Sequence, residues 1–449
     1  MAATSSPAET PRIDNPLPGH PILGHLGWFR NDRVGMLLRL AENDLVAMRM
    51  GFVRRVVVIS SPALVQEVLV AEAASFAKAP GLGIFLRPVL GDGLLTSERE
   101  VHARQRRLLA PAFAPKRIAS YAATMSERAD RFAAAQVDGA SVDVADLMMR
   151  LTFDIVGKAL FDAEVASEAS VVGAALTVAM ETAFGQLGSL VPVPPSIPTP
   201  QNLRYRRAVR RLDEVVYRVI EERRAGGDDR GDVLSVLLAA RDEDGAAMDD
   251  RQIRDEVMTL FLAGHETTAN ALAWAFYLLG RSPAARERLE AEARALGRPP
   301  TYEDLRSLPW ALAVLKEAMR LYPPAYMIGR RAARDVTIGE HRIARGTIVI
   351  LNVIGIHRRP ELYPDPDRFD PERFLGDAER ALPRCGYMPF GAGPRICIGN
   401  HFALMEGQVL LAALARRLRF ETSTADAEPE PLVTLRPRGG VAARVRVTG

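Results

Sequence analysis

The stretch Phe390-Gly-Ala-Gly-Pro-Arg-Ile-Cys-Ile-Gly-Asn400 constrains this chain more than any other. It holds one of only two cysteines in 449 residues. Gly391 and Gly393 let the backbone turn with positive φ and approach another group closely, and Pro394 fixes φ just before Arg395. An apolar helical repeat follows from Ile398 to Leu418, so Cys397 is expected at or just before a helix N-terminus. There the free N–H groups and the helix dipole favour a thiolate, and Arg395 adds a cation.

A cysteine so placed is a small buried hydrophobe, a nucleophile or a metal ligand. A nucleophile needs a base within reach, and the nearby histidine, His401, sits one helical turn on without an evident partner of its own. A zinc site asks for more sulfur or histidine ligands, and Cys385 brings no matching pair. Thiolate ligation of a haem iron asks for this one side chain only.

Composition removes other classes. The chain is 48% hydrophobic and 25% charged, which suits a large core and argues against general disorder. Length alone favours two or three domains. The net charge is +3, lysine occurs only at 78, 116, 158 and 316, and no dense basic tract appears, so nucleic acid is not the expected partner. Two cysteines do not make a disulfide framework and fit a reducing setting. The first residues lack the basic and apolar regions of a signal peptide. The most apolar stretch, Met258 to Gly280, is broken by His265, Glu266, Thr267, Thr268 and Asn270, so no membrane span is expected. The expectation is a soluble, cytoplasmic monomer.

Helical periodicity runs through Asp143–Phe161, Arg204–Arg224, Arg251–Leu279, Ala284–Ala295 and Leu312–Leu321. Strand patterns are short, at Arg55–Ser60 and Thr347–Asn352. Together these give a mainly α chain with small β-sheets. Residues 1–16 are expected to be a flexible tail. The proline-rich stretch Val191–Pro200 is expected to be an extended loop, read as a lid over an apolar site, and Pro360–Pro371 a rigid irregular segment.

The cysteine loop resembles the haem-binding loop of the cytochrome P450 family, Phe-Gly-x-Gly-x-Arg-x-Cys-x-Gly. Its six fixed positions are matched by Phe390, Gly391, Gly393, Arg395, Cys397 and Gly399. Three further stretches resemble the family's other signatures in the right order. Ala263-Gly-His-Glu-Thr-Thr268 is similar to the oxygen-activation segment of the long central helix. There Gly264 would let a flat macrocycle lie close, and Thr267 would bond back to a carbonyl and open a groove. By resemblance Thr267 holds dioxygen and helps deliver protons, with Glu266 as the acid of the relay. Lys316-Glu-Ala-Met-Arg320 carries Glu317 and Arg320, which with Arg373 of Pro371-Glu-Arg-Phe374 would form a buried structural cluster. His102, Arg106 and Arg330 would meet the haem propionates together with Arg395, Arg331 being the alternative to Arg330.

The resemblance covers 17–449 and implies a triangular single domain with haem b (iron protoporphyrin IX) between the long central helix and the cysteine-loop helix, overriding the length-based domain count. It implies a monooxygenase that takes electrons from NAD(P)H. No dinucleotide fingerprint occurs in the chain, so a separate ferredoxin or flavodoxin with its reductase is expected, docking near Arg104, Arg107, Lys116 and Arg117. The expected substrate walls are Leu82, Ile84, Phe85 and Leu86, then Phe184, Leu187, Phe261 and Ala263, and finally Ala325, Met327 and Ile328. They are mostly apolar and call for a fatty acid, terpenoid, steroid or polyketide-like molecule. A haem-thiolate isomerase or dehydratase and a non-enzymatic haem protein are the alternatives.

Overall fold

The computed structural model describes residues 15–448 apart from 52–53, 188–192, 195, 227–229, 242–244, 246 and 424–425. The spine is one unbroken 32-residue helix, Asp250–Arg281, called here the central helix. Asp249 starts it by accepting from the Gln252 N–H, and Ser282-Pro283 ends it. It is buried nearly all round, as a helix at the centre of a large core must be, and its main neighbour is helix Val144–Phe161. The five expected helices are present as Val144–Phe161, Pro200–Gly226, Asp250–Arg281, Pro283–Ala295 and Pro309–Leu321. The cysteine helix, Asn400–Arg417, follows the glycine loop and packs on helices Pro115–Ala134, Pro283–Ala295 and Pro309–Leu321.

The two expected strands are Arg54–Ile59 and Ile348–Leu351, and they pair in parallel inside one five-stranded sheet. Its order is Leu45–Met50, Arg54–Ile59, Ile348–Leu351, Ile328–Ala332, Phe76–Lys78. In that sheet Lys78 stands opposite Arg330. Near the C-terminus Pro429–Pro431 and Leu435–Pro437 form a short antiparallel hairpin against the central helix. Trp274 of that helix donates to the Leu435 carbonyl at 3.0 Å.

The expected irregular segment before the cysteine loop is turns and one 3-10 turn, Pro371–Phe374. It is held from beneath. Arg320 and Glu317 are both 0% exposed and joined by two hydrogen bonds of 2.6 and 2.8 Å. Arg320 also donates to the carbonyls of His357, Pro366 and Arg368 at 2.9, 2.7 and 3.0 Å. Arg373 approaches Glu317 at 3.6 Å and donates to the Asp365 carbonyl at 2.9 Å, so the expected cluster assembles. The first fourteen residues of the expected tail lie outside the described residues, as do Val191, Pro192 and Pro195 of the expected lid; Leu17 is already buried.

Candidate active site

Both loop glycines are needed for conformation. Gly391 and Gly393 have φ of 72° and 70°, and a Cβ at Gly393 would collide with the Leu69 carbonyl oxygen. The turn is closed by the Cys397 N–H donating to the Phe390 carbonyl at 3.0 Å. Cys397 precedes the cysteine helix, whose N-cap is Gly399. Its side chain is exposed, yet the protein around it desolvates the thiol and pushes its pKa up, with the Gly399 N–H and the Arg106 charge working the other way. An accessible atom that is also desolvated lies on the wall of a recess. Arg395 pairs with Glu98 and not with the sulfur, and desolvation is the largest influence on the thiol. A bound metal cation reverses that balance, because a coordinating thiol loses its proton outright.

The central helix carries a short accessible stretch. Ala263 is exposed, and Gly264 and Thr267 are half-exposed, within a helix otherwise buried over this stretch. The Thr267 hydroxyl donates to the Ala263 carbonyl at 2.6 Å, as expected, and the helix is continuous through this stretch. A Cβ at Gly264 would meet Val156 at 3.2 Å, so the close approach this glycine serves here is that of helix Val144–Phe161. Glu266 is only 8% exposed and turns to the C-terminal hairpin, where Oε1 accepts from the Thr434 hydroxyl at 2.6 Å. Burial holds its carboxyl above the ordinary range, against the lowering by Thr434 and by the Arg436 charge.

A group of cations lies to one side of the loop. Arg395 forms a two-bond pair with Glu98 at 2.6 and 3.2 Å. Arg106 donates to the Ile396 carbonyl at 2.7 Å, and His102, one turn earlier on helix Arg99–Leu109, is buried. Arg330 is half-buried and close enough to Arg395 and Glu98 to feel both charges; burial first, then Arg395, lowers its pKa to about 10. Arg331 is exposed, so Arg330 is the member that shares this cluster. His102 falls to about 4, through burial and then Lys78, Arg395 and Arg106.

Lys78 was not singled out from the sequence. Its ammonium donates to the carbonyls of Leu94 and Ser97 at 3.0 and 2.7 Å, and burial, reinforced by Arg395 and Arg330, lowers it to about 7. Arg395, Arg330, Lys78 and His102 thus share the Glu98 carboxylate, with Glu256 acting weakly on Lys78. A cluster of this sign is completed by an anionic ligand. Two more acids were missed. Glu256 is fully buried, with one oxygen accepting from the Leu94 N–H at 2.9 Å and the other unpartnered, and burial raises it to about 8. Glu406 of the cysteine helix faces Thr268, but that hydroxyl donates to Gly264, and neither Glu406 oxygen has a partner; burial raises it to about 8. The only sequence signal for these two was an acid standing in an apolar repeat.

The expected substrate walls divide. Ala263 and Ala325 are open, and Met327 and Ile328 are half-buried. Leu86 is buried in the core and Ile84 is 57% exposed beside an open depression lined by Pro80, Gly83, Arg87 and Pro88. Phe261 is a correction: its ring stacks on Phe161 at 4.5 Å and packs on Phe153, so it fills the seam between two helices. The side chains of Leu82, Phe85, Phe184 and Leu187 lie outside the described residues, although helices Pro80–Leu90 and Ala169–Leu187 carry them. No helix among the described residues is long and apolar enough to cross a membrane, and no three His, Cys, Asp or Glu side chains among them gather as a metal-ligand set.

The residues present fit a haem. One accessible sulfur ends the glycine loop, the central helix exposes Ala263, Gly264 and Thr267, and a cation-rich cluster beside the loop suits carboxylates. Comparison agrees. The family model for cytochrome P450 matches residues 15–441. Cyclooctatin synthase of Streptomyces melanosporofaciens is 38% identical, over 94% of this chain and 91% of that one. Pentalenene oxygenase of Streptomyces avermitilis is 35% identical, over 92% and 93%. Among solved structures, the cytochrome P450DA heme domain superposes with a TM-score of 0.85 at 30% identity, over 96% of this chain and 97% of that one. The chain belongs to the cytochrome P450 family of haem monooxygenases.

Proposed function

We propose that this enzyme inserts one oxygen atom from O2 into an apolar cyclic terpenoid, with electrons from NAD(P)H carried by separate redox proteins. The observation that carries the reading is the accessible Cys397 thiol at the end of the positive-φ glycine loop, together with the accessible stretch Ala263, Gly264 and Thr267 of the central helix. Terpenoid is preferred over fatty acid, steroid or polyketide because relatives are named for cyclooctatin and pentalenene.

The bound haem would supply O2 reduction and a reactive oxidant, its O–O cleavage favoured by a thiolate ligand. Cys397 provides that ligand. Arg106, Arg330, His102 and Lys78 would hold the two propionates, whose charges offset the cation excess, while Arg395, paired with Glu98, braces the loop beside them. Phe390 packs against the main core beside the loop, and Gly391 and Gly399 keep side chains away from the macrocycle. Thr267 offers a hydroxyl at the recess, and Glu266 offers a carboxyl whose pKa burial raises above the ordinary range. Ala325, Met327 and Ile328 present apolar surface that excludes water from the reacting carbon. An acidic ferredoxin or flavodoxin docks at Arg107, Lys116 and Arg117, which are exposed on helices Arg99–Leu109 and Pro115–Ala134, with Arg104 at the rim.

The test is a panel of cyclic terpenes, fatty acids and steroids titrated into the ferric enzyme. A low- to high-spin shift confined to terpenes supports the substrate class, and a shift confined to fatty acids or steroids overturns it. With that ligand, NADPH and a surrogate ferredoxin pair, Thr267→Ala should divert reducing equivalents to peroxide. Normal product yield in that variant defeats the role given to Thr267, and product formed without NADPH and O2 favours an isomerase.

A further inference from the structure

Glu266 is gripped from outside its own helix. Among the described residues its carboxyl has one hydrogen-bond partner, the Thr434 hydroxyl, at 2.6 Å. A threonine hydroxyl carries one proton, and Asn270 decides where it goes. The Asn270 amide donates to Thr434 Oγ1 at 3.0 Å, so the hydroxyl accepts from Asn270 and its own proton points at Glu266. Asn270 lies one helical turn beyond Glu266, and all three side chains are buried.

The hairpin that carries Thr434 is pinned on both sides of it. The Leu435 N–H donates to the Pro324 carbonyl and Trp274 donates to the Leu435 carbonyl, both at 3.0 Å. On the other side the Tyr326 hydroxyl donates to the Leu432 carbonyl, also at 3.0 Å. A donor so fixed holds its acceptor in one place. Thr267, one residue on, points about 100° away around the helix and bonds to Ala263 instead.

We propose that Thr434, oriented by Asn270, is a positioning residue that docks Glu266 away from Thr267 between proton transfers. The inference rests on the relay role given to Glu266 above. In the docked position the carboxyl keeps its proton out of contact with the recess. To act, the side chain leaves Thr434, gives that proton up on the Thr267 side and becomes a carboxylate. One proton from solvent water restores the acid before it docks again, so no electrons move in the swing. A single neutral hydrogen bond of this kind biases such an equilibrium by about fivefold.

The experiment uses the haem-loaded, full-length protein and the variants Thr434→Val, Thr434→Ser, Thr434→Ala and Glu266→Gln. The infrared carbonyl band of the Glu266 acid is identified as the band that Glu266→Gln removes. Thr434→Val should move that band to higher frequency, Thr434→Ser should restore it, and Thr434→Ala repeats the valine result if valine is poorly accommodated. NADPH oxidation without added substrate, with a surrogate ferredoxin pair in H2O and in D2O, reads proton delivery. Its rate should rise up to about fivefold in Thr434→Val, and its solvent isotope effect should fall. If Glu266→Gln leaves rate and isotope effect unchanged, the relay reading itself fails. If Glu266→Gln alters them while Thr434→Val moves neither band nor rate, the positioning role alone fails. A band shift that serine does not reverse overturns it too, because the hairpin has then been disturbed as a whole.

Discussion

Replacing Arg320 by leucine tests how the segment before the cysteine loop is held. The guanidinium is 0% exposed and satisfies Glu317 together with the carbonyls of His357, Pro366 and Arg368. Removing one partner of a buried pair costs about 3–5 kcal/mol, because the other charge stays behind. Each orphaned carbonyl adds about 1 kcal/mol or more. The total is at least about 6 kcal/mol, against a whole-protein stability of about 5–15 kcal/mol. The damage also reaches the ligand. His357 Nε2 accepts from the Met388 N–H at 2.9 Å, and the Met388 carbonyl takes the Gly391 N–H at 3.0 Å. Arg320→Leu should therefore unfold at much lower urea, followed by circular dichroism, and retain little haem. Glu317→Leu/Arg320→Leu removes the stranded carboxylate and should recover several kcal/mol of that loss while leaving the three carbonyls unpaired. An Arg320→Leu protein within about 1 kcal/mol of the parent, or a double variant weaker than the single, would refute this reasoning.

Cys397→Ser should abolish the thiolate-type absorption of the reduced carbon monoxide complex; an unchanged spectrum would remove the ligand assignment. Gly393→Ala places a Cβ on the Leu69 carbonyl at a φ of 70° and should lower the melting temperature by a strain of about 1–3 kcal/mol, with haem loss on heating preceding unfolding. Glu256, raised by burial from 4.5 to about 8, keeps a proton when folded that it loses when unfolded, so its contribution to stability is present below its ordinary pKa and is lost as pH rises through about 8. Urea midpoints measured across that window should fall less steeply for Glu256→Gln than for the parent.

What could be read from the sequence was whatever a short motif or a repeat period encodes. The glycines of the cysteine loop declared a positive-φ turn, and both have it. The Glu317–Arg320 spacing declared a shared helix face, but its use depended on carbonyls at 357, 366 and 368 that no spacing announces. Phe261 shows the converse: resemblance of position put it in the substrate wall with Ala263, yet residues two apart point to different sides of a helix, and the packing of Phe161 against its ring shows that it fills a helix seam.

The margin of the site was legible only in part, because charge is a sum over neighbours brought from distant strands and helices. His102, Arg106, Arg330 and Arg395 each had a motif to point at them. Lys78 had none, since its place opposite Arg330 comes from pairing between strands some 250 residues apart in the chain. Glu98 matters more still: it takes both arms of Arg395, which by motif alone would have been assigned wholly to a propionate. A carboxylate inside a cation cluster lowers the charge offered to an anionic ligand by one unit while fixing the arginine's orientation. In the proposed haem site, affinity for the ligand's carboxylates would then fall to Arg106, Arg330 and the titrating Lys78, and Arg395 would serve chiefly to brace the loop that presents the sulfur. Had the margin been built of arginines alone, their mutual repulsion would strain the fold whenever the ligand left; Glu98 and a lysine lowered to about 7 relieve that strain without closing the site to an anion.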